Sequence, residues 1–482
     1  MSRNNFKEIL SKNSFFIFFS SILLFLTLSN GPKLNLDLIK AKLPIESAGS
    51  GKKHPTGVDY YAALSQSFLE GNLYLPEPYH PKLKSIENPY KAKANNPYTI
   101  QDAAYFEEKY YLYHGPLPTI FYIIWKILFD YFPSDIIVIK ILILFSGLSF
   151  IFWTIKKHKN SIPIEYQGLY LILFQFLFFD LSNQLSFYKM FQVHSVARFT
   201  SMLIIFIALF NIWSFLTEKK LATNKLLLSV FLSSLICLVK FNFILDATLV
   251  YLFAIILILK ENLKKNLIFN CSLAYFFPLI LSLLYNLLRY DQFFETGVTY
   301  LLNGSNFIEK PLFPIPESYL DIFYVIVDRI YQYFFSLPSF SFDQLKFVIS
   351  NKQLFPLPRP YFTENGVIGI FFCAPIVLIF LILLLKDILN IRVKSFLYNF
   401  RSILSNNINL FFGLIILLFL THFSQILFLI QSTKNKHFEF TPFLGFLIFF
   451  YFLNYSKINK RFFVYYSTFS ICYTLVLKYF LF

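Results

Sequence analysis

Residues 116–132 read PLPTIFYIIWKILFDYF, and whether this run crosses a membrane sets the topology of the whole chain. It is short, opens on two prolines and carries Lys126 near its middle, where an ionised amine costs about 2.5 to 3.5 kcal/mol on the insertion scale. A span needs about 20 apolar residues. Stretches nearer that length recur at 14–30, 135–155, 164–181, 198–217, 224–239, 243–260, 266–288, 366–386, 407–431, 438–455 and 462–480. If 116–132 also crosses, every later basic cluster falls on the side opposite the amino terminus with its Arg3, Lys7 and Lys12. If it lies in the interface, Lys156/Lys157/Lys159, Lys219/Lys220/Lys225, Lys260/Lys264/Lys265, Lys386/Arg392/Lys394/Arg401 and Lys457/Lys460/Arg461 all share the inner side with it. The second arrangement obeys the positive-inside rule and gives about eleven spans.

The expected fold is therefore an all-α polytopic membrane protein with two long outer loops holding interfacial helices. Its sections are a cytoplasmic amino terminus over 1–13, a first helix over 14–30 and an outer loop over 31–134. A bundle over 135–288 follows, then an outer region over 289–365 and carboxy-terminal helices over 366–482. The segment 318–337 is long enough to span, yet Asp321, Asp328 and Arg329 place it on the surface. No small-residue cleavage site follows the first run, so it reads as an uncleaved helix with its amino terminus inside.

Composition agrees, since 56% of the residues are hydrophobic. The net charge of +16 is spread in short clusters between apolar runs, which makes it a topology signal rather than a nucleic-acid footprint. Cys237, Cys271, Cys373 and Cys472 all fall within runs and read as small core residues, with no disulfide or metal spacing. Phosphate loops, HExxH, CxxC and GxGxxG are absent from the sequence, and the inner loops are too short to fold a nucleotide-sugar domain.

One acid stands out. HPTGVDYYAALSQSFLEGNLYL, residues 54–75, predicts a helix in which Tyr61, Leu64 and Phe68, flanked by Val58, Ala62 and Leu69, form an apolar face, with Gly71 as its stop. Asp59 stands in the first turn, beside the membrane surface. Thr56 to Asp59 has capping-box spacing, so a helix cap and a general base are both open readings of this carboxylate.

The outer loop, with GVDYYAALSQSFLEGNLYL near its start and KYYLYHGPLPTIFYI at its end, resembles the integral-membrane glycosyltransferases of the GT-C fold. The nearest likeness is to the bacterial enzymes of the protein O-mannosyltransferase and aminoarabinose transferase type. RYDQFFETGVTYLLNG from Arg289 and KHFEFTPFLGF from Lys436 are similar to segments of the same superfamily. The resemblance implies an inverting transferase with Asp59 as catalytic base and a polyprenyl-phosphate sugar as donor, working on the outer face of a bacterial inner membrane. The acceptor, whether lipid, glycan or protein, is unassigned, and no nucleic acid is involved.

A departing lipid phosphate calls for cations at headgroup depth. Candidates are Lys109, His114, Arg198, Arg289, Arg359 and Lys436, each of which could equally be a side chain snorkelling to water or an interfacial ring. Relatives often carry a second acid in the next outer loop, and some branches hold a divalent metal. Here LSNQLSFYKMFQVHSVA has neither Asp nor Glu, leaving Asp102 and Asp180 as possible second acids and a metal as an open question. Lys240 and Asp246 read as groups leaving the bundle for water at an outer turn. A polysaccharide polymerase or ligase, which would lean on Arg289, Arg359 and His437, and a transporter or flippase are the alternative readings.

Overall fold

The computed structural model of the chain describes residues 8, 11–29, 40–41, 59–76, 81–90, 103–158, 161–178, 193–217, 223–302, 318–336, 339–341, 346–348, 362–363, 369–390, 407–427, 431–432, 437–454, 462, 464–470 and 472–473. Its helices are α1 (Ser14–Ser29), α2 (Tyr60–Leu69), α3 (Lys82–Ser85), α4 (Thr119–Phe129), α5 (Asp135–Lys157), α6 (Ile164–Phe178), α7 (Val193–Thr217) and α8 (Thr223–Leu235). They continue as α9 (Ile244–Lys260), α10 (Asn266–Tyr290), α11 (Tyr319–Ile330), α12 (Ile370–Cys373), α13 (Ile376–Asn390), α14 (Asn407–Leu427) and α15 (His437–Asn454). Strands β1 (Ala103–Phe106) and β2 (Lys109–Leu112) form an antiparallel hairpin, as do β3 (Ser339–Ser341) and β4 (Lys346–Val348), while β5 (Phe362–Thr363) and β6 (Gln431–Ser432) pair in parallel. The small sheets are a departure from a purely helical chain.

Asp135–Lys157, Ser195–Thr217, Phe241–Lys260, Asn266–Tyr290 and Asn407–Gln425 are long and apolar enough to cross a membrane. The chain is thus a helical membrane protein. α4, the helix inside the run that decides the topology, is only 11 residues, about 16 Å, or half a hydrocarbon core. It buries Tyr122 and Thr119 and leaves Ile120, Ile124, Ile127, Leu128 and Phe129 exposed, the pattern of a helix that packs on one face and meets lipid on the other. Lys126 bends back to the carbonyl and carboxylate of Asp130, at 2.6 and 3.0 Å, and the left-handed backbone at Asp130 ends the helix.

Two compact units interleave along the chain. The first comprises Met1–Pro32, Ile143–Tyr188 and Phe313–Phe482. In it α1 packs on α6, α6 on α15, and α15 on α14. The Asn13 side chain accepts from the Ile162 N–H at 2.8 Å and the Thr27 hydroxyl donates to the Phe178 carbonyl at 3.2 Å, so polar bonds fasten both ends of the α1–α6 pair. α11 is capped by Ser318, whose hydroxyl accepts from the Asp321 N–H.

The second unit comprises Lys33–Leu142 and Lys189–Leu312. Here α8 packs against α7, α9 and α10, and two 3-10 turns, Ile236–Leu238 and Phe241–Phe243, join α8 to α9. The segment after β2 is fastened to the first of these turns by main-chain bonds, Gly115 N–H to the Val239 carbonyl at 2.8 Å and Leu117 N–H to the Leu238 carbonyl at 3.0 Å. Only glycine fits at 115, because a Cβ there would stand 2.1 Å from the Leu238 oxygen. The β1–β2 hairpin bonds on both sides, Tyr105 N–H to Tyr300 and Leu75 N–H to the Tyr110 carbonyl, and packs Ala104 and Tyr111 on Tyr290. Its turn places Glu107 and Glu108 at φ 46° and 62°.

α5 and α10 share a polarity that matters for the site. α5 runs 23 residues, about 35 Å, from Asp135 to Lys156 and Lys157. α10 runs 25 residues, about 38 Å, from the end preceded by Lys264 and Lys265 to Arg289, with Pro278 near its middle. Each helix carries lysines at one end and a buried ionic group at the other.

Candidate functional site

Asp59 immediately precedes α2, a helix almost wholly buried except at its carboxy-terminal turn; Leu69, expected on the apolar face, is exposed. Gly71, at φ +80°, follows as the expected stop. The main chain of Asp59 starts the helix, its carbonyl accepting from Ala63 at 3.1 Å, but its side chain makes no capping bond. Instead Oδ1 accepts the N–H of Asp135, at the head of α5, at 2.8 Å. Asp59 is 5% exposed, so it is enclosed rather than lying among headgroups as the sequence suggests. The cap reading therefore describes its backbone only.

Asp135 is 1% exposed and its Oδ1 accepts the Tyr122 hydroxyl at 2.5 Å. Tyr122 comes from α4 and stacks on Tyr61 of α2, with ring centroids 6.1 Å apart. Three elements thus meet around two carboxyls. Burial holds the Tyr61 phenol well above its ordinary range, the Asp135 carboxyl adds to that shift and the Arg289 guanidinium opposes it. The phenol stays protonated and is available as a donor.

Arg289, in the last turn of α10, is buried in the same unit. It is 3% exposed, with Nη1 donating to the Leu112 carbonyl at the end of β2 and Nη2 to Asn286 Oδ1 at 2.8 Å. The guanidinium lies over the rings of Tyr285 at 4.0 Å and Tyr290 at 4.7 Å. Its Nε has no hydrogen-bond partner, and no described carboxylate forms an ion pair with it. Its hydrogen-bond partners among the described residues are neutral, so no carboxylate there offsets its charge.

The other expected residues are distributed differently. Lys109 is exposed on β2, its Nζ 4.9 Å from the Tyr74 ring centre, and shares with Arg289 only the strand that both touch. His114 is 2% exposed and packs on Tyr113 at 4.1 Å, so it is a buried ring rather than an interfacial one. Arg198 is half-buried in α7. Asp102, Asp180, Arg359 and Lys436 lie outside the described residues, as does the side chain of His437. Asp246, expected to leave the bundle for water, is instead buried in the first turn of α9, and Lys240 is half-buried beside the Phe243 ring at 5.7 Å. Cys237 and Cys271 are buried as expected, while Cys472 is exposed.

The structure buries Asp59 with Asp135, Tyr122 and Tyr61, three residues the sequence did not single out, and buries Arg289 in the same compact unit. Asp135 had one visible signal, an acid directly after Pro133-Ser134 at the mouth of an apolar run. No group of three or more His, Cys, Asp or Glu side chains able to hold a metal ion occurs among the described residues. No known protein family, characterised protein or solved structure matches the chain.

Proposed function

We propose that the protein is an inverting membrane glycosyltransferase that moves a sugar from a polyprenyl-phosphate donor to a lipid, glycan or protein acceptor. The carrying observation is the burial, in one unit, of Asp59 together with Arg289, a cation that no described carboxylate neutralises. In this reading the acceptor hydroxyl gives its proton to Asp59 as its oxygen attacks the anomeric carbon. The bond from that carbon to the phosphate oxygen breaks, its electron pair leaves with the lipid phosphate, and Arg289 meets the charge. The Asp135 N–H orients Asp59 without taking its proton.

The site end of α5 and α10 is opposite their lysine ends, so the positive-inside rule assigns the cluster to the outer face and the amino terminus to the cytoplasm. About eleven spans and a bacterial inner membrane belong to the same reading. The test is turnover of a panel of polyprenyl-phosphate sugars by the full chain in lipid discs, with Asp59→Asn beside the wild type. Asn keeps the shape and the bond from the Asp135 N–H, and turnover is expected to fall about 10²- to 10⁴-fold. Equal turnover removes Asp59 as base. A folded wild type that consumes no donor removes the transferase reading in favour of the polymerase or transporter ones.

A further inference from the structure

Asp135 uses one carboxyl oxygen and leaves the other open. Oδ1 accepts from Tyr122, while Oδ2, in a residue 1% exposed, has no hydrogen-bond partner. Tyr61, on a different helix and fully buried, likewise has an unpartnered hydroxyl. Tyr61 stacks on Tyr122, whose hydroxyl bonds Asp135 Oδ1, yet the Tyr61 hydroxyl and Oδ2 are not bonded to each other. Buried polar atoms without a partner call for an explanation, and these two belong to residues that both contact Tyr122.

The chemistry of the missing partner follows from what the two atoms offer. Oδ2 accepts when the carboxyl is ionised and donates when it carries the proton, and the Tyr61 O–H donates. A phosphate pairs with Oδ2 only when Asp135 is protonated, and an ammonium only when it is ionised, with no acceptor for the Tyr61 proton. A hydroxyl donates one hydrogen and accepts through its lone pairs, so it alone among these satisfies both in either state.

Resting on the transferase reading, we infer that Asp135 and Tyr61 together bind one hydroxyl of the transferred sugar, which makes Asp135 a specificity-determining residue and leaves proton abstraction to Asp59. The substrate class is a sugar that keeps a free hydroxyl at one particular ring position. A sugar deoxygenated there leaves both protein groups unpaired again, the situation in which binding sites discriminate most strongly.

Equilibrium binding separates this from catalysis. The full chain in lipid discs is titrated with a short-chain prenyl phosphate, its hexosyl conjugate and the monodeoxy forms of that conjugate. Wild type is expected to bind the parent conjugate about tenfold or more tightly than one of the monodeoxy forms. Asp135→Asn, which fixes a donor where the carboxyl can accept, reduces that preference while binding bare prenyl phosphate within about threefold of wild type, and Tyr61→Phe reduces it too. The assignment is overturned if Asp135→Asn weakens bare prenyl phosphate as much as the conjugate, which makes Asp135 a structural support. It is also overturned if wild type binds all the monodeoxy forms like the parent, because the space then holds only water. In both cases binding of bare prenyl phosphate leaves the donor reading standing; a folded wild type that binds no prenyl phosphate sinks both.

Discussion

At Asp59 two demands fall on one side chain: it must hold the head of α5 and stay open to a proton. Because Oδ1 accepts a buried main-chain N–H from Asp135, removing the oxygen leaves that donor unsatisfied at a cost of about 1–3 kcal/mol. Asp59→Ala is therefore expected to lower thermal stability in detergent measurably, whereas Asp59→Asn, which keeps an oxygen at the same place, leaves it near wild type. Equal destabilisation by both would mean that the charge and not the hydrogen bond holds this junction. The sequence made Asp59 visible because it is the sole acid in residues 54–69 of an apolar chain. Asp135 stayed hidden for a physical reason: an acid in the first turn of a helix is what the helix dipole favours, so in sequence it looks like any other helix start. Arg289 was legible as a boundary cation, but its enclosure by Tyr285, Tyr290 and Asn286 depends on which face of α10 is buried.

Among the elements, the β1–β2 hairpin is what sequence reading missed. Two-residue hairpin turns favour Asn-Gly or Asp-Gly, because both central residues adopt positive φ, and Glu107-Glu108 offers neither. Tertiary bonds impose the turn instead: the Tyr105 N–H donates to the Tyr300 carbonyl, and the Tyr110 carbonyl accepts the Leu75 N–H. Replacing Glu107 by Asn, which tolerates left-handed backbone better, is expected to raise the unfolding midpoint, with a gain of up to about 1 kcal/mol, while sparing the ion pair of Lys84 with Glu108. An unchanged midpoint would indicate that the hairpin is not part of the unit that limits stability. The junction after β2 makes the opposite demand. Gly115→Ala drives a Cβ against the Leu238 carbonyl, which is backbone and cannot rotate away, and is expected to cost about 1–3 kcal/mol or more. Gly147→Ala meets side chains alone, the tip of Leu24 at 2.8 Å and the Phe174 ring at 3.5 Å, and is expected to cost less; comparing the two melting curves checks the ranking.

For the molecule as a whole, helix direction and charge jointly predict which end faces which side. Glu70 is exposed near the site end, and Lys264 is exposed in the turn between α9 and α10. In intact cells, Glu70→Cys is expected to react with a membrane-impermeant maleimide, and Lys264→Cys only after permeabilisation, in a background where the natural cysteines are replaced. The reverse pattern would invert the chain and place the cluster on the cytoplasmic face. Much of the helical architecture was legible because membrane-length apolar runs need only length and composition. The meeting of α2, α4, α5 and α10 was not, since it depends on contacts between residues as distant in sequence as Leu112 and Arg289.

Pro278 gives α10 a mechanical character of its own. Proline supplies no N–H, so the Ala274 carbonyl lacks its helical donor and the rod has a compliant point near mid-length. The half that carries Arg289 is a short lever, fixed at its tip by the Leu112 carbonyl, and the lysine-flanked half is a separate stem. A joint at that place lets the two halves tilt separately, so a change in bilayer thickness can be taken up there rather than at the guanidinium.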